Sequence, residues 1–127
     1  MIAAATSALM AIVLDEPQAD ACIAALAAED ELIVSAGTVA EALIVSSRRN
    51  VGEEIARLID ELGFEVVSVT AASARRIAEA HARWGKGAHP AALNFGDCFA
   101  YETAKEHGCR LLFVGDDFSR TDIEGVL

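Results

Sequence analysis

Short runs of β-forming residues alternate with longer helical patterns along this chain. The four runs lie at residues 1–5, 32–34, 64–69 and 111–114. Between them, apolar residues recur at the spacing of one helix face, most clearly in Ile55, Leu58, Ile59 and Leu62. Such alternation favours a parallel sheet, because parallel neighbours need crossover connections that helices supply. It predicts a three-layer α/β/α sandwich with a central parallel sheet of four to five strands.

Polar residues and glycines mark the expected ends of the helices. Thr6 or Ser7 is expected to cap the first helix, and Asn94 the last. Thr38 is expected to begin the third helix, directly after a break at Gly37. The other predicted helices start near Glu16 and Pro17, include residues 55–62 before Gly63, and cover residues 71–84.

Length and composition limit the class of protein. With 127 residues, the chain suits one domain spanning residues 1–127. No apolar run approaches the roughly 20 residues of a membrane-spanning helix, and no basic leader begins the chain, so we expect a cytoplasmic protein without a membrane anchor. The three cysteines, Cys22, Cys98 and Cys109, lack zinc-site spacing and are expected to be buried, reduced thiols.

The charge balance argues against broad binding of nucleic acid. A net charge of −10 is the wrong sign for phosphate recognition. The exception is the segment of residues 71–90, where Arg75, Arg76, Arg83 and Lys86 outnumber Glu79. A local basic surface is therefore predicted within an acidic protein.

Four carboxylates fall where a parallel sheet places its functional sites, just after strands or at the starts of the following helices. They are Glu41, Asp97, Asp116 and Asp117. Glu41 and Asp97 each interrupt apolar surroundings, and a partly buried charge needs a partner. A hard divalent cation such as Mg²⁺ or Mn²⁺ is one such partner, because it prefers oxygen ligands.

The same carboxylates have ordinary structural interpretations. Thr38 to Glu41 and Asn94 to Asp97 both have the spacing of a capping box, in which the acid closes a helix N-terminus. Asp116 and Asp117 follow Gly115 and suit a turn. Spacing alone leaves both interpretations open.

The residues together resemble the PIN-domain ribonucleases of VapC-type toxins over nearly the whole chain. That family opens with an apolar strand and Asp-Thr-Ser-Ala-Leu, carries a lone Glu on its third helix, and continues with Leu-Asn-Phe-Gly-Asp-Cys-Phe-Ala-Tyr and Leu-Leu-Phe-x-Gly-x-Asp-Phe. This chain matches at residues 6–9, Glu41, residues 93–101 and 111–118, with Thr121, Asp122 and Ile123 beyond. It departs at Ala5, where the family has its first aspartate.

The resemblance implies a PIN-like fold and a site. Glu41, Asp97 and Asp117 would hold Mg²⁺ or Mn²⁺, with Asp116 as the alternative to Asp117. Ser7 and Asn94 would support the ligands from behind, or simply cap helices. Arg83 and Lys86, in the loop before the third motif, would contact RNA phosphates, unless they form an ordinary solvated face. Trp84 would stack on a base or, more simply, pack against the domain.

The resemblance also implies a function and partners. The chain would be the toxin of a type II toxin–antitoxin system, a metal-dependent endoribonuclease impaired by Ala5, because alanine cannot ligate a cation. The alternative is a PIN-like module that binds antitoxin or RNA without catalysis. Expected partners are a VapB-type antitoxin, RNA and a second copy of the chain. The apolar faces containing Ile12, Val13, Leu43 and Ile44 suggest that homodimer.

Overall fold

The computed structural model describes residues 1–127, which form four strands and six helices. In chain order these are β1 (Ile2–Ala4), α1 (Thr6–Val13), α2 (Ala19–Ala27), β2 (Leu32–Ser35), α3 (Ala36–Arg48), α4 (Gly52–Glu61), β3 (Glu65–Val67), α5 (Ala71–Trp84), α6 (Phe95–Glu106) and β4 (Arg110–Leu112). None of these helices combines the length and apolar character needed to cross a bilayer.

The four strands form one parallel sheet in the order β3-β2-β1-β4. In the central pairings, Ile2 lies opposite Leu32 of β2 and Arg110 of β4, and Ala4 lies opposite Leu112. The predicted parallel sheet within a three-layer α/β/α fold is therefore confirmed, with four strands. Because all strands run the same way, their C-terminal ends share one edge, as the site prediction requires.

Alternate strand residues point to opposite faces of the sheet and form two apolar clusters. Ile2 and Ala4 belong to the cluster beneath the first four helices, whereas Ala3 and Ala5 belong to the cluster beneath α5 and α6. Helices cover both faces, which explains the fully buried β1 and β2. The cysteines are free thiols; Cys22 and Cys98 are buried as predicted, while Cys109 is half-buried.

The edge of the sheet at β4 is covered by the C-terminal residues. Leu111 N–H donates to the Glu124 carbonyl at 2.9 Å, and Val126 N–H donates to the Leu111 carbonyl at 3.1 Å. These bonds occupy backbone groups that an open edge strand would present to another chain. They also fix the path of the chain after the Asp116–Asp117 turn.

The predicted starts of α1 and α3 are wrong by one to two residues. The N-cap of α1 is Ala5, and no side chain caps that helix. The N-cap of α3 is Ser35, whose hydroxyl accepts the Gly37 N–H at 3.1 Å. Thr38 lies inside the first turn of α3, so Thr38 and Glu41 do not form a capping box. In both places the strand passes into the helix without a loop, so the cap is either the last strand residue, as for Ser35, or the residue directly after it, as for Ala5.

The predicted ends of two other helices are confirmed. Asn94 caps α6, since its side chain accepts the Asp97 N–H at 2.8 Å while Asp97 accepts the Asn94 N–H at 3.1 Å. Gly63 follows α4 with a φ of 71°, the left-handed conformation that favours glycine at a helix C-terminus.

The hydroxyl of Thr38 is buried without a hydrogen-bond partner, so we expect its removal to stabilise the fold. Thr38→Val keeps the shape and removes the unsatisfied group, so the free energy of unfolding should rise by about 1 kcal/mol. Urea denaturation measures this. The matched control is Thr70→Val, which removes a hydroxyl that accepts the Ser73 N–H and should lower stability by about 1 kcal/mol. Destabilisation by Thr38→Val would contradict the assignment.

Candidate active site

The site lies where β1 and β4 end and α1 begins. Ala5 N–H donates to the Leu112 carbonyl at 3.0 Å, which ties the start of α1 to the end of β4. Ala5 is only 2% exposed and belongs to the apolar cluster beneath α5 and α6. A methyl group therefore occupies the point at which the first strand reaches the C-terminal edge of the sheet.

Glu41 on α3 is held from two sides. The Thr6 hydroxyl donates to Glu41 Oε1 at 2.5 Å. On the other side the carboxylate lies against Gly96, at the start of α6, so closely that a Cβ at position 96 would collide with it. The Glu41 carboxylate thus lies between the first turns of α1 and α6, against the residue that directly precedes Asp97.

Asp97 lies in the first turn of α6 and carries the clearest electrostatic perturbation of the site. The pKa of Asp97 is raised to about 6, mainly by burial and to a smaller extent by the charges of Asp117 and Glu41, while the bond from Asn94 N–H acts in the opposite direction. The like-charge effect shows that Glu41, Asp97 and Asp117 share one electrostatic environment. Asp97 therefore serves as a capping residue and as a member of an acidic group.

The turn after β4 distinguishes Asp116 from Asp117. The Asp116 carbonyl accepts bonds from the Ser119 N–H at 3.1 Å and the Ser119 hydroxyl at 2.7 Å. Phe118 anchors the turn in the core at 2% exposure. Between these fixed points, Asp117 is the member of the pair whose charge acts on Asp97. This geometry supports Asp117 over Asp116.

The supporting residues expected from the resemblance have other partners. The Ser7 hydroxyl accepts the Val114 N–H at 3.1 Å, which joins α1 to the residues after β4. Asn94 caps α6 through Asp97. The hydroxyl that contacts Glu41 comes from Thr6, which the residue patterns indicated only as a helix cap, since they do not reveal the direction of a side chain.

The donor set fits a hard divalent cation in kind and in charge. Its members are carboxylates, and their mutual repulsion at Asp97 is what a cation would relieve. As placed, no group of three or more His, Cys, Asp or Glu side chains lies close enough together to hold an ion. The carboxylates thus share one region of the structure without forming a complete set of ligands. The side chain at position 5 supplies no oxygen.

A second polar network, between α5, α6 and the C-terminal segment, was not foreseen. Trp84 Nε1 donates to the Tyr101 hydroxyl at 3.0 Å, which donates to Asp122 at 2.5 Å. Lys105 reaches the same carboxylate at 3.2 Å. Burial opposes ionisation of Asp122, but the hydrogen bonds from Tyr101 and Lys105 hold its pKa below the ordinary value. Trp84 is buried at 9% exposure, so the packing interpretation of this residue is the right one.

The two basic residues predicted to meet RNA differ in their surroundings. The Arg83 guanidinium lies 4.5 Å from the centre of the Trp84 ring and 3.8 Å from Asp122. Lys86 is exposed, with no carboxylate within salt-bridge distance. Its loop is closed by Lys86 N–H donating to the Leu93 carbonyl at 2.9 Å, just before Asn94.

Comparison with protein families shows which family the chain belongs to. The PIN domain family model matches residues 5–124. The chain belongs to the PIN-domain family. Among its relatives, ribonuclease VapC36 of Mycobacterium tuberculosis is 48% identical over 123 residues, covering 94% of this chain and 88% of the relative. Ribonuclease VapC of Mycolicibacterium smegmatis is 39% identical over 124 residues, covering 95% and 96%. These matches place the chain in the VapC group of PIN domains.

A solved PIN-domain structure has the same fold. VapC20 of Mycobacterium tuberculosis, described as a toxin that cleaves the sarcin-ricin loop, superposes with a TM-score of 0.81 at 18% identity, covering 99% of this chain and 98% of that one. VapBC2 of Rickettsia felis, solved with a promoter DNA fragment, gives a TM-score of 0.71 at 16% identity, covering 98% and 96%. At such identities the likeness concerns the fold.

The raised pKa of Asp97 predicts that Asp97→Asn increases the free energy of unfolding by an amount that depends on pH. Between the ordinary value of 3.8 and the folded value of about 6, the folded state binds a proton more tightly than the unfolded state. Stability from this group is thus present at low pH and lost as pH rises through about 6. Allowing for solvent screening of a half-exposed group, Asp97→Asn should stabilise the fold by about 1 kcal/mol at pH 7.

The difference should be much smaller at pH 4, where the carboxyl is protonated in the folded state and close to half protonated in the unfolded state. Urea denaturation of both proteins at pH 4 and pH 7, without divalent cations, tests this. A gain that is equal at the two pH values would show that the Asp97 charge is not the cause.

Proposed function

We propose that this chain is the toxin of a type II toxin–antitoxin system, built as a metal-dependent endoribonuclease and impaired by Ala5. The observation that carries the proposal is the shared electrostatic environment of Glu41, Asp97 and Asp117 at the C-terminal edge of the sheet. The relatives named as VapC ribonucleases support the activity class. We further propose a single domain, a cytoplasmic location and a homodimer.

Glu41, Asp97 and Asp117 would hold Mg²⁺ or Mn²⁺. When bound, such a cation activates water and neutralises charge at a phosphodiester. The residues of the chain supply the framework: Thr6 fixes Glu41, the α6 cap fixes Asp97, and buried Phe118 fixes the turn that carries Asp117. The pKa of Asp97 is raised mainly by burial and further by the charges of Asp117 and Glu41, and a nearby cation would lower the free energy of the ionised acid.

Ala5 weakens the proposed metal site in two ways. It provides no ligand oxygen, and it removes one negative charge from a group whose attraction for the cation depends on charge. The methyl group is buried among apolar side chains, so the fold does not need an acid there. We therefore propose weak metal binding and little RNA cleavage.

For the RNA backbone, Lys86 is the stronger of the two proposed contacts. Its ammonium is exposed and has no acidic partner, and its loop leads directly into the Asn94 cap of α6. Arg83 is partly occupied by Trp84 and Asp122. A cation beside an acidic site can hold a phosphate that the site itself repels.

The proposed antitoxin site is an apolar groove of about 380 Å³ between α3 and α6. It is lined mainly by apolar residues, with Glu41 among the lining residues. Ile44 is 57% exposed and Phe95 is 70% exposed, more than an unpartnered surface usually leaves for such side chains. An antitoxin segment with apolar side chains and a basic residue near Glu41 would match this groove and the overall charge of −10.

The second candidate function is binding without catalysis, and Ala5 is the observation that favours it. In that case the chain would hold antitoxin or RNA through the same groove and loop. Of the helix faces expected to form a dimer, Ile12 and Val13 pack against the core, whereas Leu43 and Ile44 remain exposed. Of the two faces predicted to form a homodimer, we therefore propose the one on α3.

Restoring a carboxylate at position 5 tests the enzyme proposal. Ala5→Asp should cleave RNA with Mg²⁺ or Mn²⁺ at least about a hundredfold faster than the parent, because a ligand and a charge are regained. EDTA should abolish the cleavage. Ala5→Asn, which has nearly the same shape without the charge, is the control and should remain inactive.

A second readout separates folding from catalysis. The buried aspartate of Ala5→Asp adds repulsion, so this variant should melt at a lower temperature than the parent without metal and recover when Mn²⁺ is added. If Ala5→Asp binds Mn²⁺ and antitoxin but never cleaves RNA, the binding-module function replaces the enzyme.

The groove predicts which surface residue controls antitoxin binding. Ile44→Asp places a charge in the groove and should weaken binding of the VapB-type antitoxin by more than tenfold, measured by calorimetry with the purified partner. Ile23→Asp is the control, since Ile23 is similarly exposed at 48% but lies on α2. Equal losses in both variants would show that the groove is not the binding surface.

A further inference from the structure

We infer that Thr6 and Gly96 form a positioning pair that sets the Glu41 carboxylate for metal binding. The inference rests on the proposed function, because it concerns the same site. It goes further by assigning roles to two residues that do not themselves ligate the ion. Both residues touch Glu41, and they come from different helices.

Thr6 acts through its hydroxyl. Thr6 Oγ1 donates to Glu41 Oε1 at 2.5 Å, across 35 positions of sequence. A bond to a charged acceptor is stronger than one between neutral groups, and Thr6 is half-buried, which limits competition from water. The hydroxyl has no capping role in α1, because no side chain caps that helix. Its one recorded bond is therefore directed to Glu41.

Gly96 acts through its missing side chain. The ideal Cβ position at Gly96 overlaps the Glu41 carboxylate, so any larger residue would displace that group. Glycine is not required at position 96 for a left-handed turn, since Gly96 lies within α6 and its φ is not positive. Space for Glu41 is the requirement that the structure places on this position. Thr6 thus fixes one carboxylate oxygen, and Gly96 lets the group lie beside the first turn of α6.

Thr38 provides a matched control on the same helix as Glu41. It is also a threonine in a first helical turn, but it is fully buried and its hydroxyl has no partner. Thr38→Val therefore removes a hydroxyl near the site without removing a hydrogen bond. A general effect of threonine substitution would appear in both Thr6→Val and Thr38→Val, whereas a positioning effect would appear in Thr6→Val alone.

The experiment has one readout without metal and one with Mn²⁺ as the probe. In the metal-free parent protein, NMR couplings should show one dominant Glu41 rotamer, and Thr6→Val and Gly96→Ala should each redistribute it. Electron paramagnetic resonance of free Mn²⁺ should show about tenfold weaker binding in both variants. Thr6→Ser, which restores the donor, should stay within about twofold of the parent. Thr38→Val should match the parent in both measurements.

The inference is overturned if Thr6→Val leaves the Glu41 rotamer and Mn²⁺ affinity unchanged, or if Thr38→Val changes them equally. Should the parent bind Mn²⁺ too weakly to measure, the rotamer result decides, and the affinity series is repeated in Ala5→Asp. The proposed function fails separately, through absence of RNA cleavage by Ala5→Asp. A redistributed Glu41 rotamer in Thr6→Val would then still support the positioning pair, in a protein that is not a nuclease.

Discussion

Repulsion among carboxylates gathered at one edge of a parallel sheet is the constraint on which this site depends. Parallel strands bring the ends of β1, β2 and β4 to one edge, where α1 and α3 begin and the first turn of α6 lies against Glu41. There burial, together with the charges of Asp117 and Glu41, raises the pKa of Asp97. Holding these carboxylates together costs free energy, which the packing of the apolar layers must offset.

The structure limits that cost by giving its acids ordinary structural partners. Asp97 closes the capping box of α6, and Glu41 accepts the Thr6 hydroxyl. These bonds keep the carboxylates in place without an ion. The capping and functional interpretations, which spacing alone could not separate, are thus compatible at Asp97. At Glu41 the capping interpretation is wrong, because α3 starts at Ala36.

The sequence predicts periodicity and order well, but not the direction of side chains. The four strands, the helix ending before Gly63 and the Asn94 cap follow from local patterns, since each depends on residues close in sequence. The Thr6 bond to Glu41, the room left by Gly96 and the Trp84–Tyr101–Asp122 network join distant segments. No local pattern contains such information, and only the packed helices fix it. The family resemblance named several of these residues without giving their contacts.

Ala5 shows how far fold and site can separate in this protein. The residue is the N-cap of α1, and its N–H is bonded to β4, two roles that any backbone can perform. Its side chain belongs to an apolar cluster, for which a methyl group is better suited than a carboxylate. Compared with an acid at this position, alanine therefore avoids repulsion and a buried charge, and strand pairing does not depend on the choice. The framework around Glu41, Asp97 and Asp117 persists because it is held by hydrogen bonds and packing that do not involve position 5.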